Sequence, residues 1–290
     1  MHGMSRISIA IVTWNSQDYI RPCLDSLFSQ DQDLEIIVAD NGSRDSTPNI
    51  LREFGARIKF IGNQSNLGFA RAVNQGLTLA TGDFILLLNP DTILTPGALG
   101  SMTGFLTQHP QVWALGPQLL NPDGSVQRSC RQFPDGRIML YEFTGLSRLF
   151  PKSKTFGRWR MGCFDHLAPL EVQQPMGACL MVKREVLDKV GLLDEDNFPM
   201  FFNEVDWCLR ISRAGGQLYF LPQAKVYHHR GVSTRRVKKA MIISSHQSLT
   251  TYFSKHYPSR FSTLLIKIMS RLSLPLRLWL QGNGDPDEKH

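Results

Sequence analysis

Residues Phe84–Leu94 read FILLLNPDTIL. Five apolar residues in a row, preceded by Thr81, Gly82 and Asp83 and followed by Asn89, Pro90 and Asp91, have the length and punctuation of a strand. Continuous apolarity, rather than alternation, predicts a strand buried on both faces of a parallel sheet. Asp91 then falls at the carboxyl end of that strand. In an open α/β sheet this is the edge where ligands bind, so the carboxylate there is either a turn former or a site residue.

The flanking sequence supports such a sheet. Strand-like runs alternate with helical ones: ISIAIVTW (7–14), QDYIRPCLDSLFSQ (17–30), LEIIVAD (34–40), STPNILREFG (46–55), RIKFIG (57–62) and GFARAVNQGLTLA (68–80). This alternation predicts an α/β fold, a doubly wound and mostly parallel sheet with right-handed crossovers and helices on both faces. Beyond VWALGPQLL (112–120) the periodicity fades, and Asn121 to Leu170 is expected to form a hairpin and a long excursion. VQQPMGACLMVKREVLDKVG (172–191) predicts a strand and a helix, and NEVDWCLRISRAGG (203–216) a helix stopped by its glycine pair. QLYFL (217–221) and AKVYHH (224–229) read as two short strands, followed by a helical, basic tail. The organisation expected is a globular domain over residues 1–235 and an amphipathic helical extension over 236–290.

The chain has 290 residues, 42% of them hydrophobic and 20% charged, enough for one large core with a smaller appendage. Its five scattered cysteines fit neither a disulfide framework nor a structural zinc site, and point to a reducing cytoplasm. MHGMSRISIAIVTWN (1–15) lacks the pattern of a signal peptide, and the longest apolar stretch, 261–280, is interrupted by Lys267, Arg271, Pro275 and Arg277. The formal net charge is +7, with much of the excess in HHRGVSTRRVKK (228–239) and the tail after it. A basic tail seeks an anionic partner. No nucleic-acid-binding signature accompanies it, so the expected partner is an anionic membrane surface or a phosphorylated ligand.

The predicted strand ends gather polar groups on one edge: Thr13, Trp14 and Asn15, then Asp40, the loop NQSNLGFA (63–70), and Asn89 with Asp91. No G-x-G-x-x-G and no P-loop follows the first strand, so a nucleotide would be held by other means. Asp40 can accept the imide N–H of uracil or thymine, which cytosine lacks, or it can close an Asx-turn in DNGS. Asn66 can cap the helix that follows, or the Gly68 backbone and the helix N-terminus can face a diphosphate. Asp91 suits a hard divalent cation, Mg²⁺ or Mn²⁺, that takes its other ligands from water and phosphate, although NPD is a turn signal in its own right.

IAIVTWN, VADNGSRDST, NLGFARAVNQGL, GDFILLLNPD, GACLMVKREV, GLLDEDNFPMFFNEVDWCLR and KVYHHRGVST occur in the order seen in family 2 glycosyltransferases, and the chain resembles their rhamnosyltransferase-like branch over residues 7–235. The resemblance implies a GT-A fold, a nucleotide-diphosphate sugar donor, a divalent metal and inversion at the anomeric carbon. Rhamnose from a thymidine or uridine diphosphate donor, moved to a hydroxyl of a growing, lipid-linked cell-surface glycan on the inner face of the cell membrane, is the family-level expectation. Residue by residue, Asp40 matches the base-binding aspartate and Asp91 the last acid of the metal-binding D-x-D motif, with Asn89 at the first position. His228 matches a histidine that completes the metal site in similar enzymes; spacing alone leaves its neighbour His229 open. The base position falls on Glu204, with Asp206, one helical turn from Arg210, as second candidate. Thr13, Asn15, Asn66, Gly68 and Arg71 join the donor side, and Gly177, Ala178 and Cys179 the acceptor side. A nucleotidylyltransferase or a non-catalytic nucleotide-sugar-binding module are the other classes considered. Of the tail helices, the first is expected to dock on the domain and the second to contact membrane.

Overall fold

The structure is a computed structural model and describes residues 5–229, 238–257 and 260–282. The basic residues between 230 and 237, part of the charged run singled out above, lie outside the described residues. The first half contains β1 (Ile7–Thr13), α1 (Ile20–Phe28), β2 (Leu34–Asp40), α2 (Thr47–Glu53), β3 (Lys59–Gly62), α3 (Phe69–Leu79), β4 (Phe84–Leu88), β5 (Thr92–Leu94), α4 (Ala98–Gln108) and β6 (Val112–Leu120). The second contains β7 (Cys130–Arg131), α5 (Gly136–Phe143), α6 (Leu146–Leu149), β8 (Leu170–Glu171), β9 (Gln174–Pro175), β10 (Cys179–Lys183), α7 (Glu185–Val190), α8 (Asn203–Arg213), β11 (Gln217–His228), α9 (Lys238–His256) and α10 (Arg260–Gly282).

The main sheet runs in the order β3-β2-β1-β4-β10-β6-β11-β5, with β8 added beside β11. Pairing is parallel from β3 through β4 and again between β6 and β11. Side chains alternate across each strand, so β1 feeds two cores. Ile7, Ile9 and Ile11 pack with Ile20, Leu24 and Leu27 of α1 and Met102 of α4. Ala10 and Val12 pack on the opposite face with Val73 and Leu77 of α3 and Trp207 and Ile211 of α8. Every residue of β4 is buried, and each such side chain contributes roughly 1.5–3 kcal/mol of burial free energy. The layered α/β architecture expected from the alternation is therefore present.

Four local expectations change. β4 is parallel to β1 but antiparallel to β10, because the chain returns from the excursion in the reverse direction. Residues 121–170 begin with the expected turn, in which Asn121 N–H donates to the Ser125 carbonyl at 2.8 Å. They then form β7 and the two helices α5 and α6, whose short lengths leave little periodicity to read. QLYFL and AKVYHH are one strand, β11, which shifts register against β6 between Leu221 and Lys225; the Pro222 ring cannot continue a regular ladder there. Asn66 is not the cap of α3. Gly68 is, at φ 90°, while Asn66 Oδ1 accepts from Gly68 N–H at 2.9 Å in a turn before the helix.

The first tail helix docks as expected. Leu249, Tyr252 and Phe253 of α9 share a core with Ile138 and Met139 of α5, Phe198, Val205 and Leu209 of the α8 region, and Ile266 of α10. Beside this core Asp206, wholly buried on α8, accepts from Arg210 Nε (2.7 Å), Lys255 Nζ (2.6 Å) and His256 Nε2 (2.7 Å). Arg213 donates to His256 Nδ1 at 2.9 Å, which makes Nε2 the protonated nitrogen. Burial alone would raise the Asp206 pKa, but the bonds from His256, Lys255 and Arg210 outweigh it and hold the carboxyl at about 2. Because the folded value lies below the ordinary 3.8, the stabilisation is complete above that pH and is lost as pH falls toward 2. The stability difference between the parent protein and Asp206→Asn should therefore narrow by about 2 kcal/mol from pH 6 to pH 2. Denaturant titrations at several pH values measure it, and a constant difference would show that the ion network is not the linkage.

Candidate active site

The carboxyl ends of β1, β2 and β4 bring the expected polar groups to one edge. Asp40 is 3% exposed. Its Oδ1 accepts from Thr13 Oγ1 (2.8 Å) and Ser43 Oγ (2.5 Å), and its Oδ2 from Ser43 N–H (3.0 Å). Asp40 thus closes the DNGS loop on itself, through Ser43, three residues on, and not through the two-residue reach of an Asx-turn. A carboxylate offers about four acceptor positions, so Oδ2 retains capacity for one more donor. Asn15, at φ 52°, donates its N–H to Ser43 Oγ (2.8 Å) and accepts from Arg44 N–H (2.9 Å), which ties the β1 end to the β2 loop. Asn41, which sequence reasoning passed over, accepts from Leu67 N–H (3.0 Å) and donates to Asn66 Oδ1 (3.0 Å) and the Gly68 carbonyl (3.1 Å). It fixes the loop that enters α3. At the helix N-terminus, Ala70 N–H is already taken by the Pro199 carbonyl at 3.0 Å, and a Cβ on Gly68 would meet that oxygen at 3.2 Å. Arg71 stands apart, exposed and paired with Glu195 at 3.4 Å.

Asp91 follows β4 and β11 ends beside it, because β11 pairs with β5 and His228 lies opposite Thr92. This register settles which histidine faces the acid. His228 Nε2 is 3.5 Å from Asp91 Oδ1. His229 instead packs its ring on Tyr19, 5.5 Å between centroids, and gives its backbone N–H to the Asp91 carbonyl. Gln127 orients the His228 ring: its Nε2 donates to the His228 carbonyl (2.7 Å), so its Oε1 faces His228 Nδ1 (3.1 Å). In the neutral ring Nδ1 then carries the proton and Nε2 is the nitrogen that faces Asp91. Nothing in the sequence marked Gln127, which lies in the aperiodic segment.

Asp91 Oδ1 is buried without a hydrogen-bond donor. Desolvation raises its pKa to about 6. A buried carboxylate oxygen without a donor, 3.5 Å from an imidazole nitrogen, is a pair of ligands of the kind a divalent cation takes, and it fits the metal expected here. Among the described residues no third His, Cys, Asp or Glu joins the pair, so the remaining ligands would be phosphate and water.

Glu204 stands in the first turn of α8. The helix follows Phe202, a left-handed cap at φ 65° whose ring lies 5.4 Å from that of Tyr252 on α9. Asn203 Oδ1 accepts Glu204 N–H at 2.7 Å, and Asn203 Nδ2 donates to the Met200 carbonyl at 2.9 Å. A Cβ on Gly177 would sit 3.2 Å from Glu204 Cβ and Cγ, so glycine is what lets the Glu204 side chain lie against the entry to β10. Burial raises the Glu204 pKa above the usual carboxylate range. Two cavities of about 200 Å³ meet at this side chain. One is lined by Phe69, Asn89, Gly177, Ala178 and His228; the other by Ser129, Arg131, Trp159, Gln174 and Phe202. Gly177 and Ala178, expected on the acceptor side, line the cavity of Asn89 and His228 and not that of Trp159, while Cys179 turns into the sheet core with Leu88 opposite. Asp206 likewise points away from both cavities, into the α9 network, and the apolar patterning of the excursion gave no sign that Trp159 would reach Glu204.

The undonated carboxylate has a measurable cost. An acid whose folded pKa is raised favours the folded state below its unfolded value and penalises it as pH rises through the folded one. The step from the ordinary 3.8 to about 6 corresponds to about 3 kcal/mol. In chelator-treated protein, Asp91→Asn should raise stability at pH 7 to 8 by up to about 3 kcal/mol and confer no gain below pH 4. Thermal and denaturant unfolding across that range checks both limits; equal stability at pH 8 would mean that the site supplies a donor to Asp91.

Comparison with known proteins bears on the family and the fold. The sequence profile of glycosyl transferase family 2 matches residues 8–191. The N-acetylglucosaminyl-diphospho-decaprenol L-rhamnosyltransferase of Mycobacterium tuberculosis is 28% identical over 265 residues, covering 87% of this chain and 85% of the relative. Among solved structures, the mannosyltransferase PcManGT from Pyrobaculum calidifontis, in complex with GDP-Man and Mn²⁺, aligns with a TM-score of 0.60 at 19% identity over 94% of this chain and 73% of that one. Residues 1–349 of S. aureus TarS align at 0.55 and 16% identity over 88% and 74%. With the profile spanning most of the chain, the relative matching nearly end to end and the sheet superposing on glycosyltransferases, the chain belongs to glycosyl transferase family 2, as a rhamnosyltransferase-like enzyme of GT-A fold.

Proposed function

We propose that the enzyme moves a sugar, rhamnose as the first choice, from a nucleotide-diphosphate donor to a hydroxyl of a lipid-linked glycan, with inversion at the anomeric carbon. The meeting of two cavities at Glu204 carries this reading. The donor occupies the cavity of Asn89 and His228, and the acceptor enters through that of Trp159 and Phe202. The mycobacterial relative, by its name, acts on a sugar joined to a lipid by a diphosphate, which supports that acceptor class.

The residues divide the work as follows. The strand ends carrying Thr13, Asn15 and Asp40 receive the base, and the free position on Asp40 Oδ2 accepts the imide N–H of uracil or thymine. The loop of Asn66 and Gly68 flanks the diphosphate as a wall and not as a donor cradle, since the Leu67, Gly68 and Ala70 N–H groups are spent on Asn41, Asn66 and Pro199. Asp91 and His228 would hold a divalent cation, Mg²⁺ or Mn²⁺, whose charge when bound offsets the charge developing on the leaving diphosphate. Mn²⁺ accompanies the donor in PcManGT. Glu204 takes the proton of the acceptor hydroxyl as its oxygen bonds to the anomeric carbon and the bond from that carbon to the diphosphate oxygen breaks. Desolvation, which raises its pKa, makes it a stronger base than a solvated carboxylate.

Separating binding from chemistry tests these roles. Glu204→Gln should lower kcat by about 10² to 10⁴ while donor affinity and its metal dependence persist. Asp91→Ala should abolish metal-dependent stabilisation by thymidine or uridine diphosphate, read by thermal shift, in a protein that remains folded. Release of nucleoside diphosphate, and not pyrophosphate, identifies the reaction. Near-parental turnover by Glu204→Gln would remove Glu204 as the base.

A further inference from the structure

The basic tail is not absorbed by sugar transfer. No acidic residue occurs between Trp207 and Gly284, whereas thirteen Lys and Arg do. The rest of the chain then holds 32 − 13 = 19 basic and 25 acidic residues, a net of −6. This is a polarised molecule rather than a uniformly basic one. Within the basic stretch, α10 is fixed in rotation by its contacts. Ile266 packs into the core shared with α9, Ser270 Oγ pairs with His246 Nδ1 at 2.9 Å, and Thr263 Oγ1 donates to the Tyr257 carbonyl at 2.9 Å.

The opposite face is consequently turned to solvent. Leu264, Ile268 and Leu272, each four residues from the last, are 57%, 46% and 73% exposed. Lys267 and Arg271 are exposed beside them. At about 100° per residue these five side chains occupy one arc of roughly 140°, with the two cations along one border and the apolar residues across the rest. An apolar stripe of this kind lowers its free energy by leaving water, and the flanking cations select the surface that receives it. No described helix is long and apolar enough to cross a membrane, and a stripe confined to one face suits a helix lying in the plane of a surface.

We infer that the outward face of α10 seats on an anionic lipid surface, with Leu264, Ile268 and Leu272 in the acyl boundary and Lys267 and Arg271 at the phosphate level. Charge complementarity chooses lipid over a second copy of this chain: two such faces brought together in a symmetric dimer would set Lys267 and Arg271 against cations of the same sign with no acid on α10 to pair them. The inference stands on α10 and not on the transfer reaction.

Co-sedimentation of the full-length protein with vesicles tests it. Binding to phosphatidylcholine vesicles containing phosphatidylglycerol should exceed binding to pure phosphatidylcholine by about tenfold or more, and should weaken with added salt. The Leu264→Ser, Ile268→Ser, Leu272→Ser triple variant, with its melting temperature checked, should lose about tenfold in vesicle affinity. Lys267→Glu with Arg271→Glu leaves the apolar stripe intact and should abolish the preference for anionic vesicles. Parental binding by both variants, or no binding by the parent protein, overturns the inference. So does a parent protein that light scattering shows to be a dimer and the triple variant a monomer, since the face would then be covered by a second copy.

Discussion

The antiparallel seam between β4 and β10 is the constraint on which the site depends. β4 delivers Asn89 and Asp91 at its carboxyl end, and because β10 runs the other way its amino end lies alongside, with Cys179 opposite Leu88 and Asn89 N–H bonded to the Ala178 carbonyl at 2.9 Å. That places Gly177 and Ala178 next to the NPD turn. Gly177 in turn leaves room for Glu204, so one strand reversal joins the polar edge of the sheet to the helix carrying Glu204. β11 completes the arrangement. It starts where α8 stops and ends at His228 beside Asp91, so Glu204 and the histidine belong to one continuous helix-strand unit.

Environment sorts the acids of this chain into two kinds. Asp40, Asp206 and Glu35 are buried but supplied with donors: Glu35 takes Lys59, Ser8 and Thr81, which more than offset its burial and hold its carboxyl at about 2. These carboxylates anchor loops and helices. Asp91 and Glu204 are desolvated without such donors, and their pKa values rise. A carboxyl left in that condition costs folding free energy, and such perturbed acids gather at functional sites, where a ligand can offset the cost. The contrast between Glu204 and Asp206, two residues apart on one helix, follows from their directions. One side chain faces the cavities, and the other faces Arg210, Lys255 and His256.

Much of the first half could be read from the sequence because its elements are long and their apolar periods clean. β1, β2 and β4 are fully or almost fully buried, and the residues that follow them are polar for reasons of position, so Asp40, Asn89 and Asp91 were recognisable as edge residues. What resisted reading was set by tertiary contact. The reversed direction of β10 leaves no mark in CLMVK, since a central strand is apolar whichever way it runs. Nor could spacing distinguish His228 from His229; the β5–β11 register decides it. The roles of Gln127, Asn41 and Trp159 depend on partners far along the chain, and Cys179 was misplaced because β10 begins with it and seats it in the core opposite Leu88.

The split of the site between segments bears on how such an enzyme diversifies. Residues 121–170 provide Ser129, Arg131, Pro134 and Trp159 to one cavity and no lining residue to the other, where Gln127 serves only to brace His228. The two chambers are therefore separable. A change of sequence within the excursion would reshape one of them while the strand edge and the lining that the other takes from β4, α8 and β11 stay as they are, provided that the glutamine is kept. A surface carried on a loop can be recut without moving the sheet beneath it.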